Sequence, residues 1–340
     1  MNDRAAGLLE QYGIEVRGTR KGRGAILCDT DQGCLILKEY TGNRDRIELQ
    51  DRVLKAVKSE GSVAVEQIVP TVAGELFVQD GDGIKYILKT WQDGRECSIY
   101  DMEECLEVVR LLARLHKSMT LPADAPGLPP IFSPDKEYEK HNKELKKVKK
   151  YLQQRGQKQP FEISLQNAID YFLEQALSVT EEWNAYCAVK NKNDAAAVAA
   201  GEPVTFCHGD YQYHNIIKGD RGWFLVNFEK CISDSPVRDL YLLMRKLLEK
   251  SNWSISLGQE LLGAYEREKP ITAINRIDLY YRLAYPEKFW KIANFYFNSG
   301  KAWIPGRNQE KLEKLIMQEK EKQHFLEEVF RDVRNLREMP

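Results

Sequence analysis

Hydrophobic and polar positions alternate differently along the two ends of this chain. The opening "RAAGLLEQYG" (4–13) spaces its apolar residues for a short helix that stops at Gly13. From Ile14 to Tyr40 the period becomes two: a glycine-bearing turn, a strand "AILCDT", the tight turn "DTDQG" and a strand "CLILKEY". Helical spacing returns in "RIELQDRVLKAVKSEG", which places Ile47, Leu49, Val53, Leu54 and Val57 on or near one face. Strands are predicted again at "VEQIVPT", at "GELFVQD" and, after the turn "DGDG", at "KYILKTW". Residues 1–91 thus predict a small antiparallel sheet with one long helix after its third strand. The segment Gln92–Glu96 ("QDGRE") is turn-like and too short for a core, and it reads as a hinge.

Beyond it, residues 97–340 read as mainly helical. "MEECLEVVRLLARLHKSM" is strongly amphipathic, "LPADAPGLPP" is a proline-rich loop, and two long helical patterns follow. The first of these is very basic from Lys143 to Lys150. A solvated helix face is the plain explanation, and a grip on an acidic partner the sharper one. No internal repeat and no low-complexity tail is evident.

Composition narrows the class. With 43% hydrophobic and 30% charged residues the chain is ordinary for a folded soluble protein, and 340 residues suffice for two substantial cores. Lys+Arg number 50 against 51 Asp+Glu, so no overall basic field draws the chain to nucleic acid or to a membrane surface. Seven scattered cysteines contain no CxxC pair, which argues against a zinc site or disulfide framework and for a reducing interior. No basic segment followed by an apolar one opens the chain, and no run reaches membrane-spanning length.

The chemistry concentrates between Phe206 and Lys230, "FCHGDYQYHNIIKGDRGWFLVNFEK". Phosphoryl transfer needs a group to orient the acceptor hydroxyl, a metal against the phosphates and positive charge on the nucleotide. "HGDYQYHN" has the kinase-loop spacing H-x-D-x-x-x-x-N, with Gly209 where protein kinases carry arginine. Asp210 is the candidate base, and Asn215 the candidate to turn an amide oxygen onto magnesium. "YHNIIK", "GDRG" and "WFLVNF" read as two short strands joined by a turn, which brings Asn227 back beside Asn215. Asn227 then stands at the metal position as an amide where a carboxylate is usual. Glu229 is the reserve ligand, on the same face if the strand continues. Lys38, inside "CLILKEY", is the candidate phosphate lysine, with Glu48 on the next helix to hold it and Asp51 the alternative. Gly22, Arg23 and Gly24 of the turn "TRKGRGA" would lie over the phosphates. His208 reads as a structural histidine that ties the loop together.

In "HGDYQYHN" with a downstream "NFE", in "WQDGRE" and in the helix ending "LARLHKS", the chain resembles the aminoglycoside phosphotransferase and choline kinase branch of kinase-like folds. "YGIEVRGTRKGRGAILCDTDQGCLILKEY", "VRDLYLLMRKLLEK" and "LAYPEKFWKIANFYFNSGKAWIP" extend the likeness to the spore coat protein S (CotS) family, from residue 12 to about 305. The resemblance implies an α+β, two-lobed protein-kinase-like fold: a nucleotide-binding lobe at 1–91, a hinge at 92–96, and a helical lobe at 97–340 carrying the catalytic loop 206–230. It implies ATP and magnesium as cofactors, other coat proteins as partners, and a place in the mother-cell cytoplasm or the spore coat. Asp239 would brace the catalytic loop. The aromatics Tyr285, Phe289, Trp290, Phe295, Tyr296, Phe297 and Trp303 would be mostly helix core, with a share available to a substrate cleft beside Lys288 and Asn294. Two functions follow. One is an ATP-dependent phosphotransferase to a hydroxyl of a small molecule or coat component; the other is a pseudokinase that keeps the fold for coat assembly. Asn227 argues for the second, and Asp210, Asn215 and Lys38 for the first.

Overall fold

The structure, a computed structural model, describes residues 7–22, 24–299 and 306–333. Arg23 and Trp303 lie outside the described residues. The chain forms two compact units. One comprises Met1–Pro130, Gly201–Leu243 and Ala264–Pro270; the other comprises Ile131–Ala200, Met244–Gly263 and Ile271–Pro340.

The first unit is built on an antiparallel sheet. Strands β1 (Val16–Gly22), β2 (Ala25–Thr30) and β3 (Gly33–Tyr40) form two successive hairpins, closed at Gly22↔Ala25 and Thr30↔Gly33. The helix α1 (Arg44–Glu60) follows, its first turn capped by the Asn43 side chain and its last by Gly61 in a left-handed conformation. Ile47, Leu49, Val53, Leu54 and Val57 are all buried, as their spacing predicts. On one side of the sheet Leu8, Leu9 and Tyr12 pack with Cys28, Leu35, Leu37, Val78 and Leu88 into a single cluster.

The stretch "VEQIVPT" departs from expectation. It is divided between β4 (Ala64–Val65) and β5 (Ile68–Val69), which belong to different sheets. The change of sheet falls between Glu66, whose N–H bonds the Leu225 carbonyl, and Gln67, whose carbonyl accepts the Thr90 N–H. After β6 (Val78–Gln79), β7 (Lys85–Thr90) pairs with β3, and the sheet order is β1-β2-β3-β7-β5.

A second, four-stranded sheet supports the 206–215 loop. It joins β4, β8 (Arg95–Glu96), β11 (Ile216–Gly219) and β12 (Gly222–Leu225) in the order β4-β12-β11-β8. Gly94 makes this possible, because a Cβ there would lie 2.5 Å from the Lys218 carbonyl oxygen. Strands β9 (Thr120–Leu121) and β10 (Val204–Thr205) pair as a short ribbon at the loop's entrance. Helix α2 (Met102–Ser118), capped by Asp101, buries Val108, Leu112, Leu115 and His116.

The second unit is helical: α3 (Asp135–Gln154), α4 (Pro160–Ala199), the end of α5 (Val237–Lys250), most of α6 (Ile255–Glu266), then α7 (Ala273–Ala284), α8 (Glu287–Asn298), α9 (Gly306–Met317) and α10 (Glu319–Val329). Tyr285 stacks on Tyr138 at 4.0 Å between centroids and Phe289 on Phe172 at 4.3 Å, so most of the aromatic block is core. Among its described members Phe295 is exposed. Lys143, Lys146, Lys147 and Lys150 are exposed on α3. Among the described residues no helix is long and apolar enough to cross a membrane.

Candidate active site

The 206–215 loop is held from behind by one buried carboxylate. Asp239, at the start of α5, accepts the backbone N–H of His208 (2.6 Å) and of Gly209 (2.9 Å), and its Oδ2 meets His116 Nε2 at 3.2 Å. Burial pushes the His116 imidazole below its ordinary range against the opposing pull of Asp239, so the neutral ring donates to Asp239 and accepts from the Tyr265 hydroxyl at 2.8 Å. His208 is fully buried; its Nε2 lies 2.9 Å from the Val226 carbonyl and its Nδ1 accepts the Asp210 N–H. Both histidines are braces. Gly209 is required by space: its φ is +78° and a Cβ would lie 2.0 Å from the Lys230 carbonyl oxygen. A larger residue at this position would push the loop off the segment that returns beside it.

That segment arrives as expected from β11 and β12, with Ile216 opposite Leu225 and the Val226 N–H on the Asn215 carbonyl. The Asn227 amide nitrogen donates to Asn215 Oδ1 at 2.7 Å, and Asn215 Nδ2 donates to the Asp210 carbonyl at 2.8 Å. Asn227 is not in a strand, however. Its φ and ψ are 67° and 51°, and a 3-10 turn covers Phe228–Lys230. Simple alternation therefore does not apply to residues 227 and 229; a left-handed residue followed by a turn brings both to one ammonium. Lys38 Nζ lies 2.9 Å from Asn227 Oδ1 and 3.1 Å from Glu229 Oε1.

Glu48 is not the residue that holds Lys38. Its side chain is 51% exposed and lies 3.8 Å from Arg44. Asp51, the alternative, pairs with Lys55 at 2.6 Å. The phase of α1 turns Ile47 into the core and leaves Glu48 on its outer side, so the carboxylate for Lys38 comes from Glu229 instead. Gly22 and Gly24 flank the β1–β2 turn, and Ala25 beside them is directly opposite Lys38 in the sheet.

Two residues at the centre carry no motif. Lys89 on β7 pairs opposite Ile36 and so shares the face of Lys38. It is 1% exposed, and its ammonium lies 2.8 Å from both Glu66, also 1% exposed, and Glu229. Glu66 in turn accepts the Phe228 N–H at 3.0 Å. Burial lifts the Glu229 carboxyl, but the Lys89 and Lys38 charges outweigh it and bring it down to about 2. The sequence offers no signal for Lys89, since Lys85 lies on the same face of the same strand.

Asp210 is also engaged. Its Oδ2 lies 3.0 Å from Lys230 Nζ and its Oδ1 accepts from the Gln212 amide at 2.6 Å. Burial raises this carboxyl, while Lys230 and then Gln212 outweigh it and leave it below the usual range, ionised at neutral pH. A cavity of about 670 Å³ lies elsewhere: it runs along the β1–β2 hairpin to Glu39 and Tyr86, on the face of β3 opposite Lys38. The convergence of Lys38, Asn227, Asn215 and Asp210, and not that hollow, defines the site.

This arrangement of sheet, brace and loop is that of the kinase-like fold, and the comparisons agree. The family described as "Spore coat putative kinase YutH" matches residues 5–329, and the chain belongs to it. Spore coat protein S of Bacillus subtilis (strain 168) is 24% identical over 344 residues, covering 96% of this chain and 93% of that protein. The aminoglycoside phosphotransferase of Alicyclobacillus acidocaldarius superposes with a TM-score of 0.80 at 16% identity, over 97% of this chain and 96% of that one. An amicoumacin kinase bound to AMP-PNP, Ca2+ and amicoumacin gives 0.57 at 10% identity, over 94% and 92%.

Proposed function

We propose that the protein serves the spore coat as a nucleotide-binding protein of kinase fold, with Asp210 placed to receive the proton of an acceptor hydroxyl. The observation that carries this is the connected set running from Lys38 through Asn227 and Asn215 to Asp210. It ends on the residue types that phosphoryl transfer asks for, a lysine for phosphates and, held at its main-chain carbonyl, an aspartate for the acceptor. The nucleotide complex of the amicoumacin kinase, a neighbour in fold, supports ATP as the ligand. In this reading the acceptor oxygen attacks the γ-phosphorus, the bond to the ADP oxygen breaks, and Asp210 takes the hydroxyl proton. The acceptor is a small molecule or a coat protein, met in the coat or in the mother-cell cytoplasm while the coat is built.

A second reading is favoured by a specific observation. Both Asp210 oxygens are held, by Lys230 and Gln212, and the metal position carries the amide of Asn227. A site so occupied suits holding a nucleotide, or bracing a coat partner, more than transfer. Incubating the purified protein with γ-labelled ATP and spore-coat extract separates the two. Label that passes to the extract and is lost in Asp210→Ala establishes transfer. Bound ATP with no label passed, and a coat phenotype indifferent to Asp210→Ala, establishes the assembly role.

A further inference from the structure

Magnesium is held by oxygens that converge on one point, usually one or two carboxylates together with phosphate oxygens. Asn215, Asn227 and Glu229 do not offer such a set. Asn215 Oδ1 already accepts from the Asn227 amide and Asn227 Oδ1 already accepts from Lys38. Neither amide can be turned over. Rotating Asn227 would set its nitrogen against the Lys38 ammonium, and rotating Asn215 would set its oxygen against the Asp210 carbonyl. Glu229 Oε1 accepts from two ammonium groups, Lys38 and Lys89.

The charges agree with the hydrogen bonds. Lys38, Lys89 and Lys230 stand against Glu66, Glu229 and Asp210, so the cluster has no surplus negative charge for a divalent ion. An ion at Asn227 would sit beside the Lys38 ammonium, and the carboxylate that meets the same ammonium, Glu229, is already paired with Lys38 and Lys89. The backbone does not demand the amide, because asparagine and aspartate are both among the residues that enter the left-handed region. What the amide adds is a donor nitrogen, which an aspartate lacks.

We infer that this site holds the phosphates of a nucleotide without a divalent ion, the Lys38 and Lys230 ammonium groups supplying the charge that a metal would supply. The inference rests on nucleotide binding as proposed above, and not on transfer. The two lysines stand at the ends of one chain of contacts, Lys38 on Asn227 and Lys230 on Asp210. Their side chains are 31% and 64% exposed, within reach of a ligand from solvent, whereas Lys89 at 1% is not.

Calorimetry on the full chain tests this, with ATP titrated in EDTA and again in excess magnesium. The expected result is binding in EDTA within about threefold of that in magnesium. Lys230→Ala, a change at an exposed side chain, and Lys38→Met should each weaken it by about tenfold or more, the scale of one charge-assisted hydrogen bond. Asn227→Asp should make magnesium strengthen binding by about tenfold or more, since two facing oxygens then need a cation between them. Magnesium strengthening wild-type binding to that extent overturns the inference and leaves the nucleotide reading standing. Binding in EDTA untouched by either lysine change also overturns it. No ATP bound in either buffer overturns the nucleotide reading itself.

Discussion

A lysine as enclosed as Lys89 must be neutralised where it stands, and Glu66 and Glu229 do so at 2.8 Å each. Burial pulls its ammonium down, but the two carboxylates outweigh burial and keep it charged. Removing one member of such a group is costlier than removing the whole, because the remainder is left buried and unpaired. Lys89→Met should therefore lower stability by about 3–5 kcal/mol in urea unfolding, and adding Glu66→Gln should recover part of that loss. A single-variant loss below about 1 kcal/mol would mean that the group is not held as a charged cluster. The pH dependence has a definite sign. The Glu229 carboxyl sits at about 2 in the folded protein against an ordinary 4.5, so the unfolded chain takes up the proton first. Its contribution is complete above about 4.5 and disappears as pH falls toward about 2. Glu229→Gln should flatten the urea midpoint across that window, and an unchanged slope would show that the carboxylate gains nothing from its lysines.

At the scale of elements, local patterns were legible and long-range partners were not. The hairpin that returns Asn227 to Asn215 could be read because two short strands and a turn occupy one continuous stretch, Ile216–Leu225. Lys38 could be placed on β3 for the same reason. Glu48 could not be excluded as its partner, because the rotation of α1 against the sheet is fixed by packing and not by spacing. Glu66 and Lys89 meet Glu229 from other parts of the chain, and nothing in an alternating pattern distinguishes a lysine facing a buried carboxylate from one facing water. The loop motif also concealed why it has a glycine. Gly209 lies against the turn that carries Lys230, so the two elements are fixed together at that point. Gly209→Ala should combine a strained φ with a backbone clash and lower the melting temperature. It should also free Asp210 from Lys230, raising the carboxyl toward its ordinary range. A variant with wild-type melting and an unmoved Asp210 titration, followed by NMR, would show that the loop position does not depend on this contact.

For the molecule as a whole, the order of the chain and the order of the fold differ. Residues 1–91 look self-contained in sequence, with a sheet, a helix and a closing turn. In the structure β4 finds its partner in β12, where Phe224 and Leu225 lie opposite Ala64 and Val65, and the Glu66 N–H bonds the Leu225 carbonyl. The segment after residue 91 is likewise committed: Arg95 and Glu96 pair with Lys218 and Ile217, and Arg20 on β1 reaches Asp93 at 2.5 Å. A fragment ending at 91 would contain the strands of the antiparallel sheet but expose the edge of β4 and leave Lys89 with Glu66 alone. The 206–230 segment and the antiparallel sheet are thus tied together in one compact unit, in which residues 201–243 join 1–130. The fragment 1–91, purified and melted by circular dichroism, should lack a cooperative transition, and adding residues 92–130 should not restore it. A sharp, reversible transition for 1–91 would show instead that the sheet is a domain in its own right. The buried lysine–glutamate group would then be a latch added to it, and not part of what makes it fold.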